Sequence, residues 1–129
     1  MPNRWRDWLA QAEHDLGQAT ASHRDGRHDW SCFASHQAAE KAVKSLHLAM
    51  GREAWGHVTA RLLNQLPTPP PAELIDRARI LDNYYVPARY PNGHVEGPAY
   101  EHYGSLHSSQ ALDHARAIID FVRKALADA

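Results

Sequence analysis

The chain has 129 residues, one domain's worth, and 43% of them are hydrophobic, enough for one ordinary core. Charged residues make up 22% and the formal net charge is −1, so nothing global draws the protein to nucleic acid or an anionic membrane. Any anion binding must come from a local cluster, although ten histidines would make the surface more basic in mild acid.

The first predicted helix runs from Arg4 to about His23, with Trp5, Trp8, Leu9, Ala12, Leu16 and Ala19 forming one apolar stripe. Its start, "MPNRWRDWLAQAEHDL", has charges every few residues, so neither a signal peptide nor a membrane anchor is expected. "RDGR" breaks the helix at Gly26. The second helix is predicted from Asp29 to Met50 with Gly51 as its stop. Ala39, Ala42, Val43, Leu46 and Met50 share its core face. Gln37, Glu40, Lys41 and Lys44 share the polar one, where Glu40 and Lys44 form a favourable i,i+4 pair. The lone Cys32 excludes an intramolecular disulfide, fits a reducing cytosol, and reads as a small buried side chain.

"HVTARLLNQL" is a short third helix, packing through Val58, Leu62, Leu63 and Leu66. "PTPPP" interrupts, because proline lacks a donor and clashes with the preceding turn; Pro71 suits the first turn of the next helix. That fourth helix is predicted from Ala72 to Tyr85 with Leu74, Ala78, Leu81 and Tyr85 at core spacing, ended by Pro87. The fifth begins near Ser105 and carries the clearest stripe, from Ala111 to Leu126. Nothing alternates with period two. The expected fold is all-α, a single antiparallel up-and-down bundle of four to five helices across residues 1–129.

Between the fourth and fifth helices lies "YYVPARYPNGHVEG", Tyr84 to Gly97, where Arg89 is followed five positions later by His94. "AEHDLGQA", "SHQAAEKAVKSLHLAMG", "GHVTARLLNQL" and "YYVPARYPNG" fall in an order that resembles the HEPN family of prokaryotic helical proteins, from about Trp5 to Leu126. The resemblance implies a helical bundle, often a homodimer, that binds nucleotide or RNA. It also implies a partner, a minimal nucleotidyltransferase, in a toxin–antitoxin or defence pair. On that reading Arg89 contacts phosphate, Tyr90 and the proline-glycine loop shape the pocket, and Lys41 and Lys44 add nucleotide or RNA contacts.

The alternative that the resemblance offers is a metal-independent endoribonuclease using an Arg-x(4–6)-His motif. Arg89 would stabilise the scissile phosphate and His94 would be general acid or base. Some family toxins place a tyrosine two positions after that histidine, as the target of the partner transferase; here Glu96 stands there. A second Arg-x4-His, Arg52 to His57, lies in the loop entering the third helix and reads as structural. Tyr84, Tyr85 and Tyr90 have the chemistry to stack bases, but read first as closing the end of the bundle. Trp55, in a loop, is the tryptophan expected to be exposed. The histidines show neither the i,i+4 pair nor the H-E-x-x-H spacing of a metal site, so no metal or other cofactor is expected.

Overall fold

Five α-helices and two 3₁₀ turns account for the regular structure of residues 3–128, which the computed structural model describes. They are α1 (Trp5–Arg24), α2 (His28–Ala49), α3 (Thr59–Asn64), α4 (Ala72–Asp82) and α5 (Ser105–Ala127), with 3₁₀ turns at Pro91–Gly93 and Ala99–His102. There is no strand among the described residues, as the all-α expectation required.

α2 is the axis of the bundle, packing on α1 and α5 and touching α3 and α4. Small residues let it sit deep. Ala38, Ala39 and Ala42 on α2, Ala12 and Ala19 on α1, and Ala111 and Ala115 on α5 are all fully buried. Larger side chains fill the rest of the core: Val43, Leu46, Leu62, Leu63, Leu81, Ile118, Ile119 and Val122. Each such side chain removed from water contributes about 1.5–3 kcal/mol before the entropy of ordering is subtracted.

Glycine decides how α2 ends. Gly51 adopts φ +74°, the Gly51 amide bonds to the Leu48 carbonyl at 2.9 Å and the Arg52 amide to the His47 carbonyl at 2.9 Å. This Schellman closure satisfies carbonyls the helix would otherwise leave bare.

Several expectations need correction. α4 stops at Asp82, three residues before Tyr85. Pro87 has no amide to offer Asn83, and it bars Val86 from the helical region. The chain therefore tightens into i→i+3 bonds, Tyr84 to the Leu81 carbonyl and Tyr85 to the Asp82 carbonyl. Pro71 is the N-cap of α4, one position before the first turn. Trp8, Met50 and Val58 lie at the surface, each at the edge of its predicted stripe. Glu40 and Lys44, placed on the polar face, are buried at 3% and 9% exposure, because α2 has almost no solvent face at that level. Trp55 is 79% exposed, as predicted. Cys32 is fully buried, and burial, with Asp29 nearby, pushes its thiol up to about 12.

Candidate functional site

The α4–α5 connection is long but pinned. Tyr84 and Ala88 are buried at its start and Ala99 near its end. Burial, with Cys32 and Tyr103 as neighbours, pushes the Tyr84 phenol up to about 12. His94 donates from Nε2 to the Pro87 carbonyl at 2.8 Å, and its ring lies flat on His102, centroids 4.1 Å apart. His102 in turn reaches the Glu96 carbonyl at 2.7 Å, and the Tyr103 hydroxyl lies 3.4 Å from His94 Nε2. Gly93 allows this closure, since a Cβ there would stand 2.9 Å from the Pro87 Cα.

Arg89 is held differently. Its Nε donates to the Tyr85 carbonyl at 2.8 Å. Its guanidinium lies over three rings, 4.3 Å from Phe33, 4.9 Å from Tyr85 and 5.2 Å from Tyr90. The residue is half-buried and forms no ion pair with a carboxylate among the described residues. A guanidinium in that setting keeps its terminal N–H groups for a ligand, and its natural ligand is a phosphate or carboxylate gripped at two oxygens. The loop thus divides its two candidates. Arg89 touches Phe33, Tyr85 and Tyr90, while His94 touches Pro87, His102 and Tyr103.

Tyr85 links Arg89 to a polar network beneath it. His57 stacks on the Tyr85 ring, centroids 4.6 Å apart and planes within 16°. His57 Nδ1 meets Glu40 Oε1 at 3.0 Å, and Lys44 Nζ donates to Glu40 Oε2 at 3.1 Å. On the other side, the buried His36 reaches both the His57 carbonyl and Asp82 Oδ1 at 3.0 Å. Asp82 also accepts the amides of Thr59 at 2.7 Å and Ala60 at 3.0 Å, and so caps α3 from the end of α4. Burial raises the Asp82 carboxyl, but the bonds from His36, Ala60 and Thr59 and the charge of His36 more than offset this and hold it below the usual carboxylate range.

The two candidate lysines have partners already. Lys41 pairs with Asp15 of α1 at 2.5 Å, and Lys44 is held by Glu40 with Trp8 lying across it, Nζ 5.7 Å from the ring. Lys41 closes one end of an open groove of about 520 Å³ between α1 and α2, which continues past Gln37 to Phe33 and the half-exposed Trp30. Phe33 therefore belongs both to this groove and to the bed of Arg89. No group of three metal-ligating side chains occurs among the described residues. No helix there is long and apolar enough to cross a membrane.

The fold and this order of motifs find a match in a family model, the HEPN domain, over residues 5–125. The chain belongs to the HEPN family. It is similar to TT1696 from Thermus thermophilus, at 48% identity and TM-score 0.94 over 96% of this chain and 99% of that one. It is similar also to ST0689, an archaeal HEPN homologue, at 38% identity and TM-score 0.85 over 97% and 99% of the two chains. A HEPN domain protein from Thermotoga maritima, TM0613, is 31% identical with TM-score 0.78 over 94% and 98%. No curated protein is a significant match.

Among HEPN features, the Arg89 loop was visible in the sequence, but its surroundings were not. Phe33 is one more apolar residue of α2 until the fold brings it under Arg89. His36, Glu40 and Asp82 have no motif to announce them. His57 carried one signal, as the end of the second Arg-x4-His.

Proposed function

We propose that this HEPN protein binds RNA through its phosphate backbone, with Arg89 as the anion contact and Tyr90 beside it. The observation that carries the reading is the half-buried Arg89 guanidinium, laid over Phe33, Tyr85 and Tyr90 with no carboxylate among the described residues to neutralise it. Desolvated cations are ordinarily paired, and one left unpaired is held ready for an anion. Exposed aromatic rings on the same side, Tyr90 and Trp30, give bases a surface to stack on. Free nucleotides share the phosphate and would be weaker ligands of the same site.

The contacts of Lys41 and Lys44 favour structural roles for both, so Arg89 carries most of the charge recognition. His94's contacts favour loop closure. In the cell, family membership supports a homodimer working in the cytosol beside a minimal nucleotidyltransferase, as one half of a toxin–antitoxin or defence pair.

The test is fluorescence anisotropy of a labelled single-stranded RNA against wild type, Arg89→Ala and Arg89→Lys. Losing a charge-assisted contact of about 1.5–3 kcal/mol should weaken binding roughly tenfold or more. It should also lower the salt dependence by about one phosphate's worth. Lysine should restore little, because it lacks the planar fork. Equal binding by all three folded proteins would refute the assignment.

A further inference from the structure

We propose that the groove between α1 and α2 takes an unpaired base of the RNA strand held at Arg89, and that it favours a base carrying an amino group, cytosine over uracil. The inference rests on the reading of Arg89 as the phosphate contact and adds base selection, which that contact does not provide.

The groove starts where the Arg89 site ends. Phe33 lines it, and the Arg89 guanidinium lies 4.3 Å from the centre of that same ring. Trp30 meets Phe33 edge-on, centroids 6.1 Å apart, and is 52% exposed although it is the largest apolar side chain in the groove. The cavity of about 520 Å³ is in the range of small-molecule sites. A strand with one phosphate on Arg89 therefore brings a base to rings that are already in place for stacking.

Charge separates the two places. Asp15 and Asp25 line the groove together with Arg27 and Lys41, so its formal charges cancel, and Lys41 is already paired with Asp15. A phosphate gains nothing there that Arg89 does not offer better. A neutral, planar group with a polar edge fits both the rings and the balance of charge.

The polar groups decide which edge. Gln18 Nε2 donates to Ser22 Oγ at 3.0 Å, and Gln37 Nε2 is turned to His36 Nδ1 at 3.3 Å. Each amide leaves its Oε1 with no hydrogen-bond partner among the described residues. The Asp25 carboxylate, which can only accept, is on the same lining. Acceptors of this kind suit an exocyclic amine. Cytosine presents N4–H₂ to them where uracil presents O4, acceptor against acceptor. In a duplex that edge is taken by the partner base, so the strand must be single.

The test measures anisotropy of labelled oligo(C), oligo(U) and an oligomer of abasic ribose phosphate with wild type, Trp30→Ala, Gln18→Leu and Arg89→Ala. Trp30 and Gln18 are exposed, and circular dichroism checks that the variants fold. Wild type should bind oligo(C) about fivefold tighter than oligo(U), the worth of one net hydrogen bond. Gln18→Leu should narrow that gap to about twofold or less. Trp30→Ala should weaken oligo(C) about tenfold and the abasic oligomer less than about twofold. Arg89→Ala should weaken all three. Equal binding of oligo(C) and oligo(U) by wild type, or oligo(C) binding untouched by Trp30→Ala, overturns the inference, while the Arg89 reading stands if the abasic oligomer still needs Arg89. If Trp30→Ala instead separates a dimer in sedimentation and leaves oligo(C) binding intact, the groove belongs to a second copy of the chain and the inference falls. If wild type binds none of the oligomers, both readings fall.

Discussion

Asp82→Asn tests the frame that carries the site. The Asp82 carboxylate accepts three bonds: Oδ1 from the Thr59 amide and His36, and Oδ2 from the Ala60 amide. Asparagine retains one oxygen, so the two Oδ1 bonds survive without charge, at a loss of about 1 kcal/mol each. The amide nitrogen then faces the Ala60 amide, donor against donor, which costs about 1–2 kcal/mol more. The expected loss is about 3 kcal/mol, or a fall of about 12 °C in Tm for a chain of this length. Urea unfolding followed by circular dichroism measures it as a lower midpoint at unchanged slope.

The pH dependence follows from the depressed Asp82 carboxyl. Its stabilisation is fully present above the unfolded carboxylate value of about 3.9 and disappears as pH falls through the lower folded value. Wild type and Asp82→Asn should therefore converge in acid, below about pH 4. A loss under about 1 kcal/mol at pH 7, or a gap that stays constant into acid, would refute the assignment of Asp82 as a charged cap.

Gly93→Ala should cost about 1–3 kcal/mol, because its Cβ would meet a backbone atom, the Pro87 Cα, at 2.9 Å. Hydrogen exchange should show the opening confined to residues around the loop. Cys32, fully buried with its thiol raised to about 12, should resist a thiol-specific dye in the native protein and react at once in denaturant. Ile119→Ala should destabilise the fold by about 2–5 kcal/mol in chemical unfolding, as for any fully buried side chain with little room to collapse.

The long helices α1, α2 and α5 could be read from the sequence because their stripes repeat over several turns, and the stops at Gly26 and Gly51 fall where the helices end. The end of α4 could not. Leu81 and Tyr85 keep helical spacing, yet the constraint from Pro87 is felt several residues upstream. The polarity of Glu40, Lys41 and Lys44 was visible, but not that the bundle would bury two of them, because burial depends on what α1 and α3 place alongside. The site shows the same division. Arg89 belongs to a local run of residues. Phe33 and Glu40 lie two turns apart on α2, but His57 and Tyr85 lie far along the chain from them and from each other, and no pattern within one segment relates all four.

The bed of rings under Arg89 has a consequence for how the site can be lost. Phe33 carries no charge and lies on α2, yet its ring is 4.3 Å from the guanidinium. A small residue in its place would leave the net charge, the isoelectric point and the arginine itself intact. The guanidinium would then wander among rotamers, and an incoming anion would have to supply the ordering that the rings now supply in advance. A relative that keeps the arginine but lacks an aromatic residue at this point of α2 should hold phosphate more weakly, and an inventory of charged residues alone would not distinguish the two proteins.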